Sequence, residues 1–426
     1  MITSAMGTPN SPSSRISLAI ILLLALILRL IAATLMPDQT PHVLDSETYR
    51  GLGHQLWQGH IFGSPYFMPL YPALVGALGP GWAQMFADIA ISTAMVWLLF
   101  QLSLAVFHDR AIALVAALGA AVYPPFIYFS FIGLTETLFT TLILAAYVCW
   151  YRGAFASAAM FAVLSILTRP AIDLLAPLLA IYFVAVIHRF TAAEVLRQCF
   201  IYAAIYCALM TPWWIHNYAA YGTFVRLNLA AGENFYAGNN PLNTSGGAIN
   251  GVDFDDSAYR TIADPVERDR VAFSSAVEFV RQDPTAFLRR AAIKFVRFWR
   301  LWPFASDYSD WKIVAIYTTS YVPIFLLTLV YFGFWGGSEF FRIAPILTFG
   351  GYLTLVNVVF VASLRYRFPL EPFMIVLAAA ALIRILRRWP AARPTLARWG
   401  FDTADGNGQR TNHGDLHPID CNSGSP

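Results

Sequence analysis

The stretch SLAIILLLALILRLIAATLM, Ser17 to Met36, holds one ionisable side chain, Arg29, in a run as long as a bilayer-spanning helix needs, roughly 20 residues. Shortly after it DSETY, Asp45 to Tyr49, sets two carboxylates on a polar segment. Threading the apolar segments through a bilayer sets nearly every ionisable side chain near one membrane face. Of its 426 residues 58% are hydrophobic and 12% charged, about half the charged share of a soluble domain, so lipid is the solvent for most of the chain.

A net charge of +3, with basic residues spread near span boundaries, gives no support for nucleic-acid binding and favours membrane lipids as partners. The four cysteines, Cys149, Cys199, Cys207 and Cys421, lack metal-ligand spacing. No small-residue cleavage site follows the first apolar run, which therefore reads as an uncleaved helix.

Further spans are expected from near Trp82, Ala111, Leu134, Gly153, Ala171, Gln198, Trp311, Ile343 and Phe368. The fold class is an all-α integral membrane protein of about ten transmembrane helices with a helical, loop-rich extracytoplasmic portion. Arg15, Arg110, Arg152, Arg189, Arg197, Arg342 and the cluster from Arg384 to Arg393 fall on alternate connections, which places them and both termini inside. The chain then divides into a cytoplasmic N-terminus (1–16), a transmembrane region (17–213) whose first outer loop is 36–81, an outer segment (214–310), C-terminal spans (311–386) and a polar, disordered tail (387–426). Within the outer segment, Asp264, Pro265 and Glu267 start one helix, and Asp283 with Pro284 starts another. The second sets Leu288, Ala291, Phe295, Phe298 and Trp302 on one stripe and Arg290, Lys294 and Arg297 on another, the pattern of a helix lying in the membrane interface.

Under this threading Asp45, Glu47, Asp88, Glu136, Arg169, Asp173, His216, Arg365, Arg367 and Glu371 all fall at the outer side. Ionisable groups beside membrane spans are costly unless paired or wet, and mark either a site or the pairing that registers helices. A hydroxyl acceptor needs a carboxylate to take its proton, and Asp45, with Glu47 nearby, is the candidate; a solvated loop acid or helix cap is the alternative. Arg365 and Arg367 stand on a short outer loop against the usual charge bias, as a phosphate-binding fork or as head-group anchors. Glu136 opens a helix, where the macrodipole alone favours an acid. Arg169 and Asp173 stand four apart, so a mutual ion pair competes with substrate contact. The Gly232 to Pro241 segment carries turn signals and fits a loop that covers a site.

Taken in order, the Asp45 segment with Tyr49 and Pro69-Leu-Tyr-Pro72, Thr135-Glu136, Leu167-Thr-Arg169-Pro170, Pro212-Trp-Trp-Ile-His216-Asn217, Gly238-Asn239-Asn240-Pro241 and Arg365-Tyr-Arg367-Phe-Pro369 resemble the bacterial GT-C glycosyltransferases. That superfamily includes protein O-mannosyltransferases, lipid A aminoarabinose transferase and related lipopolysaccharide-core transferases. The resemblance runs from Ser17 to Leu370. It implies a polyprenyl-phosphate-linked sugar donor, a lipid, glycan or protein acceptor, and inverting transfer at the periplasmic face of the bacterial inner membrane. It makes Asp45 the catalytic residue with Glu47 and Glu136 as auxiliary acids, and puts Arg365, Arg367 and Arg169 at the donor phosphate. Tyr49, His216, Asn217, Asn239 and Asn240 would contact substrate. Two departures stand out: His216 occupies a place where many relatives have Arg, and Asp45 and Glu47 are separated rather than adjacent. The cofactor is left open, since some relatives use a divalent metal and others none. The alternative is a transporter or flippase of a lipid-linked or small anionic solute, whose binding groups would lie near the midplane in repeated halves; no repeat is evident here.

Overall fold

The computed structural model describes residues 12–36, 44–60, 62–79, 81–303 and 310–392. The tail expected to be disordered lies, beyond residue 392, outside the described residues, as do residues 1–11 of the expected cytoplasmic N-terminus. Among the described residues the regular structure is helical, with no strand. The chain divides into two compact units, Met1–Ile383 and Arg384–Pro426, and the site described below lies in the first.

Helix α1 (Pro12–Leu35) exposes Ile16, Ile20, Leu23, Ile27, Ile31 and Leu35 every three or four residues and turns Ala25, Arg29 and Ala33 inward. So continuous an apolar stripe calls for lipid against it. The buried Arg29 donates from Nε to Ser92 Oγ at 2.8 Å and from Nη1 to Ala25 O and Ala121 O at 3.0 and 3.2 Å, tying this helix to two others.

The segment expected as the first outer loop is itself folded: α2 (Leu44–Trp57) and α3 (Leu70–Leu78) form a helical hairpin. Ser46, Tyr49, Leu52 and Gly53 recur at helical spacing and are buried, a stripe masked in the sequence by its small and polar members. Gly53 and Gly76 let the two backbones touch; a Cβ on Gly53 would sit 2.4 Å from Pro72 O, and one on Gly76 would sit 2.4 Å from Gly53 O. Trp57 Nε1 donates to Ala73 O at 2.9 Å and closes the pair.

There follow α4 (Trp82–Phe107), α5 (Arg110–Val122), α6 (Pro124–Tyr128), α7 (Thr135–Tyr151), α8 (Phe155–Thr168), α9 (Leu175–Tyr182) and α10 (Ala192–Tyr221). A Thr191–Glu194 capping box starts α10, and Gly222, at φ +66°, ends it. This helix continues past Pro212 to Tyr221, so residue 214, the expected start of the outer segment, falls inside it. The outer segment contributes α11 (Ala231–Gly238), α12 (Ser257–Arg260), α13 (Pro265–Gln282) and α14 (Pro284–Phe298), and the chain returns through α15 (Trp311–Tyr331), α16 (Phe340–Val359) and α17 (Glu371–Arg388).

Six helical stretches are long and apolar enough to cross a membrane: Ile16–Leu35, Trp82–Phe107, Ala192–Tyr221, Trp311–Gly336, Phe340–Val359 and Leu364–Arg388. The other four expected spans are the shorter helices α5, α7, α8 and α9. At about 1.5 Å per residue, the 13 residues of α5 reach about 20 Å, short of a hydrocarbon core of about 30 Å.

The outer helices start where expected. Asp264 accepts from Val266 N at 3.1 Å and Asp283 from Ala286 N at 2.8 Å. However, α14 does not present a wet cationic face: Arg290 and Lys294 are buried, while Leu288 and Val296 are 66% and 64% exposed. Arg290 Nε donates to Asn243 O at 2.5 Å, and Lys294 Nζ donates to Asn239 Oδ1, Val359 O and Phe360 O at 3.0, 3.1 and 2.9 Å. The last two carbonyls end α16, where unpaired acceptors and the helix dipole both favour a cation. Burial pulls the Lys294 ammonium down to about 7, against three acceptors that suit its charged form.

Candidate active site

Ala33, Tyr49, Tyr71, Val75, Ile89, Phe131, Ile132 and Leu134 form one apolar cluster that joins α1, α2, α3 and α4 to the turn before α7. It fixes the first turn of α2, which carries Asp45, and the first turn of α7, which carries Glu136. Gly133 makes that turn at φ +74°, and a Cβ there would lie 2.8 Å from Gln84 Nε2.

Two arginines reach Glu136 from elsewhere in the chain. Pro170 disfavours helical backbone at the residue before it, so Arg169 is extended, at φ −147° and ψ 128°, and ends α8. Its Nη1 donates to Glu136 Oε1 and, at 3.3 Å, to Thr135 Oγ1. Arg365 is the second residue of a 3₁₀ segment, Leu364–Leu370, and its backbone N–H donates to Ser363 Oγ at 3.3 Å. Its Nε donates to Glu136 Oε1, its Nη2 to Glu136 Oε2 at 3.3 Å, and its Nη1 to Asp45 Oδ2 at 2.8 Å. Two carboxylates and two guanidiniums thus form one network. Glu136 is its inner pivot, with a side chain 0% exposed, whereas Asp45 is 38% exposed. Each guanidinium has five N–H donors, so both keep N–H groups beyond those bonds with which to meet an oxyanion.

Behind the network Tyr49 is buried against the Phe67 and Tyr71 rings, with centroids at 5.0 and 5.4 Å. Burial pushes its phenol up to about 12, and it stays neutral within electrostatic reach of Arg169, Glu136, Arg365 and Asp45. A second polar chain lies alongside: Arg50 Nε donates to Gln84 Oε1 at 2.9 Å, Gln84 Nε2 to Tyr71 OH at 3.3 Å, and Tyr71 OH to Asp88 Oδ2 at 2.8 Å. This chain occupies Asp88. Arg50 and Gln84 were not singled out from sequence; a glutamine two residues into an apolar span was the available signal.

Other expected site residues stand apart. Glu47 is exposed, because residues two apart on a helix point to different sides. Arg367 is fully buried; it donates from Nη1 to Phe298 O and Arg300 O, both at 2.9 Å, from Nε to Glu371 Oε1 at 3.2 Å, and from Nη2 to Tyr317 OH. The pairing of Arg365 with Arg367 around one phosphate is therefore corrected: in a three-residue turn, positions i and i+2 diverge. Arg169 and Asp173 do not pair, since the extended backbone at Arg169 breaks their helical spacing; Asp173 instead accepts from Tyr206 OH at 2.7 Å and forms an ion pair with Arg226, whose Nη2 lies 2.5 Å from Oδ2.

His216 Nε2 accepts from Phe62 N at 2.9 Å while its ring stacks on Trp213. Asn217 Nδ2 donates to Val225 O at 2.8 Å and Leu227 O at 3.1 Å. Asn239 and Asn240 are fully buried, with Nδ2 of Asn239 donating to Phe235 O and Val359 O, and Nδ2 of Asn240 to Tyr236 O and Ala237 O. These four side chains hold backbone in place, and the loop from Gly232 to Pro241 is packed as helix α11 and its exit. Among the described residues no group of three His, Cys, Asp or Glu side chains is placed to hold a metal ion.

Neither protein-family models nor curated proteins yield a match to this chain.

Proposed function

We propose that this chain is a multi-pass membrane glycosyltransferase of the GT-C type that moves a sugar from a polyprenyl-phosphate donor to a hydroxyl acceptor. The observation that carries the reading is Arg365, which joins Asp45 and Glu136 from regions of the chain hundreds of residues apart. A partly exposed carboxylate bonded to Arg365, which shares Glu136 with Arg169, provides a proton acceptor and an anion clamp in one network.

In this reading the acceptor hydroxyl attacks the anomeric carbon as Asp45 takes its proton, and the bond from that carbon to the phosphate oxygen breaks. The electron pair leaves with polyprenyl phosphate, the anomeric centre inverts, and no covalent enzyme intermediate forms. Arg365 and Arg169 stabilise the charge that gathers on the leaving phosphate. Glu136 holds both arginines in position. In this reading the shorter helices α5, α7, α8 and α9 complete ten passes where the bilayer thins locally to meet them, in a bacterial inner membrane with the site at its outer face.

The test is incubation of purified protein with a panel of polyprenyl-phosphate sugars, followed by mass spectrometry of acceptor fractions. A product heavier by one sugar supports the assignment. Movement of labelled donor across sealed vesicles without any new glycosidic product would favour a flippase instead.

A further inference from the structure

The buried Lys294 acts at a point close to Arg365 in the chain. Each of its three ammonium N–H donors has its own acceptor: Asn239 Oδ1, and Val359 O and Phe360 O at the end of α16. Gly246 lies on the lysine stem, where a Cβ would stand 3.0 Å from Lys294 Cγ, and Gly246 O accepts from Ala362 N at 3.2 Å. Gly238 packs as closely: a Cβ there would run into Phe360 O and stand 3.2 Å from Lys294 Nζ. Backbone at residues 359, 360 and 362 is thus fixed by this lysine and by two glycines packed against it.

Between Phe360 and Arg365 stand only Val361, Ala362, Ser363 and Leu364, and Ser363 caps the 3₁₀ turn that carries Arg365. That turn sends Arg365 to Asp45 and Glu136 and Arg367 to Glu371, so the direction in which the chain leaves α16 sets where each guanidinium lands. Phe360, at φ −91° and ψ −97°, leaves the helical range where the lysine holds its carbonyl. A cap for α16 needs only the two carbonyls. The bond to Asn239 and the packing of Gly246 tie the same point to the outer segment.

We propose that Lys294 is a positioning residue for Arg365: by fixing where the chain leaves α16, it places the Arg365 guanidinium against Asp45 and Glu136. The proposal rests on the glycosyltransferase reading only in taking Arg365 to be a group that meets the donor phosphate.

The test is a double-mutant cycle of Lys294→Met and Arg365→Lys in the full-length protein, read by polyprenyl phosphate binding and by thermal unfolding in detergent. Lys294→Met is expected to weaken polyprenyl phosphate about tenfold when Arg365 is present, the worth of one hydrogen bond from a charged group, and less than about twofold once Arg365→Lys has been made. No weakening with Arg365 present, or equal weakening in both backgrounds, overturns the proposal, because a merely structural lysine acts regardless of residue 365. If the wild-type protein does not bind polyprenyl phosphate, the glycosyltransferase reading falls and unfolding decides the positioning role. A double variant that melts higher than the two single losses together would set it supports the role, and simple addition overturns it. Should Lys294→Met fail to fold, Gly246→Ala, which presses on the lysine stem, takes its place in the cycle.

Discussion

Arg365 Nη1 donates to Asp45 Oδ2 at 2.8 Å, so the 3₁₀ segment before the last helix is bonded to the first turn of the hairpin after the first one. The carboxylate proposed to take a proton is thereby held by the cation proposed to meet the phosphate. Under the proposed function, donor phosphate and Asp45 would compete for one guanidinium, and a phosphate that draws Arg365 toward itself would loosen Asp45 for the acceptor.

The two arginines of the RYR sequence are expected to behave differently. Arg365→Ala leaves Glu136 buried but still held by Arg169, at a cost on the order of 2 kcal/mol, below the ~3–5 kcal/mol of a buried pair left with one member, and abolishes saturable donor binding. Arg367→Ala removes a fully buried cation from Glu371 and two carbonyls, with a cost of about 3–5 kcal/mol and little change in donor KM for the molecules that remain folded. Thermal unfolding in detergent, paired with donor titration, separates the two outcomes; equal loss of donor affinity in both would contradict the assignment.

Lys294→Met removes the donor to three acceptors at the end of α16, and an expected loss of about 1–3 kcal/mol follows from leaving buried carbonyls unpaired. Hydrogen exchange should rise first at residues 239–246 and 359–362, the segments that the lysine joins. Unchanged exchange there would show that α14 is held by other contacts.

Gly53→Ala forces a methyl group into Pro72 O, so α2 and α3 must separate by an ångström or more, at a cost of about 1–3 kcal/mol. Because α2 carries Asp45, turnover should fall along with stability, whereas Gly51→Ala, with nothing near its added Cβ, serves as the control. Equal turnover in the two variants would show that hairpin packing does not position the acid.

Much of the helical layout was legible because lipid-facing helices advertise themselves. The stripe of Ile16, Ile20, Leu23, Ile27, Ile31 and Leu35 is a length and composition signal that no tertiary contact can hide. That Asp45, Glu136 and Arg169 belong together was legible from charge placement. Which arginine joins them was not, because Arg365 and Arg367 have the same chemistry and only the 3₁₀ turn sends one to Glu136 and the other to Glu371. The asparagines read as loop contacts were equally opaque: buried amides that bind backbone carbonyls look, in sequence, like turn residues. The α2 and α3 hairpin escaped because its closest backbone approach is made by Gly53 and Gly76, which hydrophobic periodicity does not register.

The most direct measurement is the initial rate of Asp45→Asn relative to wild type on one polyprenyl-phosphate sugar, with donor affinity measured in parallel. Asparagine keeps the shape and removes the basicity, and the side chain is exposed enough that stability should change by no more than about 1 kcal/mol. A rate about 10²- to 10⁴-fold lower with donor affinity retained is the predicted result. Turnover close to wild type would contradict Asp45 as the base.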